Sequence, residues 1–233
     1  MQAVILAAGR GTRMEELTTA VPKPMLEVAG KTLLEHKLDA LPDEIQEVVI
    51  IVGHLSDVIK MQYKGTYRGR TLTYVEQSDL NGTAGALWAA KDVLKDKFLV
   101  LNGDDIFTAE DLKKCAEESG SWKLLVQQMP EMRRAGSVLL DENANITGII
   151  EGDLGVGPGL ASTNMFVLDT RLFSQPLIPK QEGSLEYGLP QTVIAAAKAL
   201  GIKLDPVFTT DWIQINAPGD LTKAAEILQK TKK

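Results

Sequence analysis

Residues 3–6, 48–52 and 98–101 are short apolar runs bounded by Gly, Asn or Asp, and they constrain this chain most. Runs of that length, rich in Val, Ile and Leu, suit strands buried on both faces of a parallel sheet. Amphipathic stretches predict helices over 33–41, 55–63 and 84–94. Strand, helix and strand in repetition mean βαβ units with right-handed crossovers, hence an α/β fold. Residues 74–76 predict a further short strand.

Past Asp105 the pattern changes. A helix is predicted over 109–118, then strands over 123–128, 137–140, 146–150 and 165–168. A helix over 189–200 precedes strands at 203–208 and 212–215. A closing helix at 218–229 carries Pro218 in its first turn, where its missing N–H is harmless. Gly-rich residues 152–159 predict a flexible loop and not a boundary, because strands resume at once. No internal repeat or linker interrupts the chain, so 1–233 reads as one domain.

Composition narrows the function. The chain has 233 residues, with 25 Lys and Arg against 31 Asp and Glu, a net charge of −6. A surface this acidic lacks the surplus cations that coating a nucleic acid needs. No apolar run approaches ~18 residues, so no membrane span is predicted. Met1 leads into glycines without a basic region, so no signal peptide is expected and the cytoplasm is the predicted location. The single cysteine, Cys115, excludes an intramolecular disulfide framework and a cysteine zinc cluster, and reads as a helix residue.

The first strand runs into Leu6-Ala7-Ala8-Gly9-Arg10-Gly11-Thr12-Arg13-Met14. A glycine-rich turn at the carboxyl end of a strand is where α/β folds bind anions. Gly9 and Gly11 let backbone N–H groups approach phosphate, and Ala7 and Ala8 leave room for a base or ribose. The turn is not a P-loop, because no Gly-Lys-Ser/Thr ends it, and Met14 breaks the dinucleotide fingerprint. Alone, it fits a plain structural turn and a phosphate cradle equally. Arg10 and Arg13 supply cations within it. Lys23 stands between Pro22 and Pro24 on what reads as a rigid extended segment. Its alternative is a solvated surface lysine.

The chain resembles the sugar-1-phosphate nucleotidylyltransferases, the family of the glucose-1-phosphate thymidylyl- and uridylyltransferases. The resemblance rests on residues 6–14, on Pro22 to Leu26, on Glu76-Gln77-Ser78-Asp79-Leu80-Asn81-Gly82-Thr83, on Asn102-Gly103-Asp104-Asp105, and on the segment from Trp212 to Leu221. It spans nearly the whole chain in matching order. It implies a Rossmann-like, GT-A-like nucleotidyltransferase fold with a mixed, mostly parallel sheet flanked by helices. Residues 1–107 are then the nucleotide-binding half and 108–233 the sugar-phosphate-binding half. The implied substrates are a nucleoside triphosphate, UTP or dTTP before others, and a sugar-1-phosphate; the implied cofactor is Mg²⁺.

The resemblance also implies roles. Leu6, Ala7, Ala8, Gly9, Gly11, Thr12, Arg13, Gln77, Gly82, Thr83 and Gly103 bind the nucleotide. Arg13, Lys23 and Asp104 are catalytic, and Asp104 is a magnesium ligand. A glutamine amide donates and accepts at once, which suits Gln77 to a pyrimidine edge. Gly82 and Thr83 are expected to open a helix whose terminal amides favour anionic groups. Glu151, Asn164 and Glu186 contact the sugar phosphate. The acceptor phosphate is already largely ionised, so no general base is needed and His36 and His54 have no role. Juxtaposing and neutralising two polyanions suffices.

The chain departs from the family pattern at one end of the site. Gly152 stands where a lysine that meets the sugar phosphate is usual. Asn164 replaces a glycine, and Gln214 replaces the aspartate that is the second magnesium ligand. Asp211 is no substitute, because alternation on a strand would send it to the face opposite Gln214. These losses leave open a degenerate paralogue that binds nucleotide or sugar phosphate as a sensor or subunit. A glycosyltransferase of related topology would need an Asp-x-Asp metal site, which Asp104-Asp105 lacks.

Overall fold

The computed structural model describes residues 1–132, 136–152 and 157–231. The interior of the predicted loop 152–159 lies outside the described residues. Strands β1 (Gln2–Leu6), β4 (Glu47–Val52), β6 (Arg70–Glu76) and β7 (Lys97–Asn102) form a parallel core in the order β7-β1-β4-β6. β5 (Thr66–Tyr67) closes the β6 edge antiparallel. Between them, β2 (Glu27–Val28) and β3 (Lys31–Thr32) make a separate small hairpin.

Helices cover both faces, as buried parallel strands require. Alternate residues of β1 point to opposite sides. Ala3 and Ile5 pack with Leu34 and Leu38 of α1 (Leu33–Ala40), Ile59 of α2 (Ser56–Tyr63) and Leu112 of α4 (Ala109–Ala116). Val4 packs with Leu87 of α3 (Thr83–Ala89) and Val193 of α5 (Leu189–Leu200). Capping sets two starts: Thr32 and Glu35 form a capping box on α1, and Thr108 accepts from the Asp111 amide on α4. α3 ends at Ala89 and not at 94, because i→i−3 bonds such as Lys91 N–H to Trp88 O tighten the chain into turns.

The second half extends the same sheet. β11 (Gly159–Asp169) lies antiparallel to β7, with Phe166 opposite Val100, and also pairs with β8 (Trp122–Met129). β9 (Ser137–Leu140) and β10 (Ile146–Ile150) form an edge hairpin, and β12 (Leu204–Thr209) runs parallel to β8. The closing helix α6 (Pro218–Thr231) returns over the front of the molecule, where Ala224 packs with Met14, Val28 and Leu33. Among the described residues no helix is long and apolar enough to cross a membrane. Cys115 is a fully buried α4 residue, and burial pushes its thiol up to about 12.

Two further local expectations fail. Residues 212–215 are not a strand; a single antiparallel bridge joins Ile213 to Ile106. Side chains take the backbone groups that a ladder would need. Trp212 N–H donates to Gln127 Oε1, the Ile215 carbonyl accepts from Lys23 Nζ, and Asn216 N–H donates to Asp220 Oδ2. Lys23 is not on an extended segment either: it opens a short 3₁₀ turn, Lys23–Met25, after an extended Pro22.

Candidate functional site

A cavity of about 880 Å³ opens at the carboxyl ends of β1 and β7. It gathers every site residue the sequence singles out, from Leu6 through Glu186, together with Gln214.

The first wall is the glycine loop after β1. Leu6, Ala7, Ala8, Gly9, Gly11, Thr12 and Arg13 line it. The loop is anchored by Ala7 N–H to Ile51 O at 2.8 Å and by the Thr18 hydroxyl to Gly11 O at 3.1 Å. A methyl group at Gly9 would meet nothing within 4 Å, so that position opens directly onto the cavity. Gly103 is fixed by close approach: a Cβ there would stand 2.5 Å from Leu6 O and 3.1 Å from Pro24 Cγ. Glycine at 103 thus lets the end of β7 press the loop against the Lys23 segment.

Lys23 and Asp104 meet at the cavity floor. Lys23 Nζ lies 2.8 Å from Asp104 Oδ2 and 2.5 Å from the Ile215 carbonyl, with its side chain only 8% exposed. A lysine so buried is no solvated decoration. Arg13 donates to Asn216 Oδ1 at 3.0 Å, so both cations are tied to the segment after Trp212. Gln214 and Asn216 line the cavity, while Trp212 turns into the core beneath and Ile213 packs with the α6 cluster. Asp211 stays exposed, its carboxylate bonded to the Thr210 hydroxyl.

Behind this floor lie two buried ionisable groups, Asp105 of the Asn-Gly-Asp-Asp motif and Lys37, which no motif reveals. Asp105 is buried, and burial pushes its carboxyl up to about 8, opposed by Lys37 and by the Trp212 indole N–H. That indole N–H favours ionised Asp105 without closing a hydrogen bond of normal geometry. Lys37 is fully buried on α1, and burial brings its ammonium down to about 8. Asp104 is therefore the accessible carboxylate of the pair, with 28% of its side chain exposed.

Gln77 holds the far end. Its Nε2 donates to Asn81 Oδ1 at 3.1 Å and to the Gly82 carbonyl at 3.2 Å. A carbonyl can only accept, so the nitrogen must face Gly82 and Oε1 is left as the free group. The expectation that Gln77 donates and accepts together is revised to an acceptor alone. Thr83 does open α3, but α3 has seven residues, its Ala84 N–H is spent on Tyr187 O, and the Thr83 hydroxyl accepts from Leu189 N–H. The Ala84 amide is therefore a structural tie and not part of an anion site.

The second wall carries Glu151, Asn164 and Glu186. Glu151 accepts from Gln191 Nε2 at 3.2 Å. Asn164 has φ +56°, a left-handed conformation in which asparagine is tolerated and most residues are strained. It sits where the β11–β8 register shifts between Ser162 and Phe166, and its Oδ1 accepts from the Ser162 hydroxyl. Lys180 also lines this wall, and nothing in the motif pattern points to it.

The donor set suits a hard cation that arrives with a polyphosphate. Among the described residues no three His, Cys, Asp or Glu side chains converge to cage a metal. Asp104 offers one carboxylate at the cavity, and Gln214 a neutral oxygen. One carboxylate plus substrate phosphates is a usual Mg²⁺ environment.

Known proteins are similar to this chain in sequence and fold. A nucleotidyl transferase family model matches residues 2–198. The chain is 30% identical to the UTP–glucose-1-phosphate uridylyltransferase AglF of Haloferax volcanii, over 99% of this chain and 97% of that one. It is also 30% identical to the bifunctional protein GlmU of Methanocaldococcus jannaschii, over 98% of this chain, and spans about half (54%) of that relative. A Bacillus anthracis crystal structure described as a glucose-1-phosphate thymidylyltransferase superposes with a TM-score of 0.82 at 26% identity, over 97% of this chain and 94% of the other. With its mixed, mostly parallel Rossmann-like sheet, the chain belongs to the nucleotidyl transferase family, among the sugar-1-phosphate nucleotidyltransferases.

Proposed function

We propose that the protein transfers a nucleotidyl group from UTP or dTTP to a sugar-1-phosphate, giving a nucleoside diphosphate sugar and pyrophosphate. The observation that carries this reading is the two-walled cavity. Arg13, Lys23 and Asp104 surround the glycine loop on one side, and Glu151, Asn164 and Glu186 face them from the other.

An oxygen of the sugar phosphate attacks the α-phosphorus, a P–O bond forms, and the bond to the β-phosphate oxygen breaks in line. No proton need be removed, because the attacking phosphate is largely ionised at neutral pH. The loop amides and Arg13 orient the triphosphate. Lys23 lies against the reacting centre and offsets charge on the equatorial oxygens. Asp104 would hold Mg²⁺ together with the triphosphate, and the ion supplies further charge neutralisation when bound. Glu151 and Glu186 accept from sugar hydroxyls. Gln77 Oε1 accepts from the N3–H of uracil or thymine, and the similarity to a relative named for its use of UTP supports these bases.

The test is pyrophosphate release with Mg²⁺, each of UTP, dTTP, CTP, ATP and GTP, and a panel of sugar-1-phosphates. Turnover with UTP or dTTP is expected. A clear GTP preference would overturn the assignment of Gln77. Gln214 supports a second reading, because the cavity has a neutral amide where a carboxylate is usual. Under that reading the chain binds nucleotide or sugar phosphate and releases no pyrophosphate with any pair.

A further inference from the structure

The proposed acceptor carries a dianionic phosphate, and it must settle beside carboxylates. Glu151 and Glu186 line the second wall, where a phosphate is repelled unless a cation stands near. The first-wall cations are engaged there: Lys23 with Asp104 and Ile215, Arg13 with Asn216. Arg10 belongs to the glycine loop, and Gly152 offers no charge.

Lys180 is the lysine that the fold brings to the second wall. Its backbone is fixed in a hairpin. Lys180 N–H donates to Glu186 O at 2.8 Å, Pro179 bridges to Tyr187, and Gly188 N–H donates to Ile178 O at 3.1 Å. Tyr187 then fastens the hairpin to the base-reading loop, through its N–H to Asn81 O at 2.7 Å and its carbonyl to Ala84 N–H at 3.1 Å. The main chain of Lys180 is thus held in register with Gln77's loop. Its ammonium makes no hydrogen bond or ion pair with the described residues. A compact ammonium on a flexible stem, on a residue that lines the cavity together with Glu151 and Glu186, suits a phosphate that arrives with the sugar.

We propose that Lys180 receives the phosphate of the sugar-1-phosphate, in the place of the charge that Gly152 does not provide. The assignment rests on the sugar-phosphate reading above. Its consequence is a division of labour: first-wall cations hold the triphosphate, and Lys180 neutralises the incoming acceptor.

The test is calorimetric titration of a sugar-1-phosphate panel, with glucose-1-phosphate first, into the wild type, Lys180→Ala and Lys180→Arg. Mg·UTP binding is measured in parallel. Lys180→Ala should weaken the bound sugar-1-phosphate by about ten- to a hundredfold, the worth of one charge-assisted contact. Lys180→Arg should recover most of that loss, and Mg·UTP affinity should move less than about twofold. Equal sugar-phosphate affinity in wild type and Lys180→Ala overturns the assignment and leaves the functional reading standing. A wild type that binds no member of the panel overturns the functional reading and this assignment with it.

Discussion

Lys23 is both a phosphate-facing cation and a structural tie. Its ammonium is the donor for a partly buried carboxylate, Asp104, and for the Ile215 carbonyl. Truncation therefore removes more than charge. Lys23→Ala is predicted to lower turnover by at least ~100-fold and also to cost ~1–3 kcal/mol of stability, because two acceptors lose their donor. Asp104→Asn keeps the shape and an oxygen for Lys23, so turnover should fall by a similar factor with little change in unfolding. Pyrophosphate release and urea midpoints on both variants decide it. Near-normal turnover removes the residue concerned from the mechanism, and an unchanged midpoint for Lys23→Ala shows that the tie is not structural. At this scale the motifs located the cavity well, because glycine spacing, the Pro-Lys-Pro run and the strand-end Asp104 are local signals. Lys180 and Lys37 escaped because neither carries one. Lys180 is a lone lysine in an irregular hairpin, and Lys37 sits in an ordinary amphipathic helix, so only the fold shows what each approaches.

The hairpin 178–188 and the loop 77–84 behave as one element because Gly82 permits it. Gly82 has φ +98°, and a Cβ there would stand 2.4 Å from the Tyr187 carbonyl oxygen. Gly82→Ala must displace backbone, which cannot give way as a flexible side chain does. It is predicted to destabilise the protein by ~1–3 kcal/mol and to raise KM for both substrates, since the displaced hairpin carries Lys180 and Glu186. Gly9→Ala makes the contrast: with nothing within 4 Å it should spare stability and raise KM for the triphosphate alone. Steady-state kinetics with each substrate varied, beside thermal melts, separates the two. If Gly82→Ala affected only the nucleotide KM, the hairpin and loop would not be coupled. Elements with a strong period were readable from sequence, down to the bounds of β9, β10 and α5. The segment 212–215 was not, because its apolar alternation is shared by a loop whose amides and carbonyls are taken by Gln127, Lys23 and Asp220. Periodicity reports which side chains are buried; it does not report where the backbone hydrogen bonds go.

At the scale of the whole molecule the two halves share one sheet and its cores. β11 from the second half lies against β7 of the first over Phe166↔Val100 through Asp169↔Lys97. Phe173 stacks on Phe98 and meets Trp88 edge-on, while Val4, Val100, Trp122 and Val193 belong to a single cluster. Separation after residue 107 would expose apolar surface on both faces of that seam, at roughly 25 cal/mol per Å². Chains longer than ~150 residues often unfold through intermediates, but here each hydrophobic cluster draws buried residues from both halves. We predict one cooperative transition for residues 1–233, with a stability within the ordinary ~5–15 kcal/mol. Variants that keep a single tryptophan test it. Trp88 reports the first half and Trp122 the second, and their urea curves should coincide with each other and with the loss of helical circular dichroism. Mg·UTP is proposed to touch mainly the first wall. At ~100 times its Kd it should still shift the whole curve, by ~2.7 kcal/mol, because binding to one part stabilises everything that unfolds with it. Separate curves for Trp88 and Trp122, or a nucleotide shift confined to Trp88, would mean that the seam between β7 and β11 is a boundary and that the chain is two folding units meeting at the cavity.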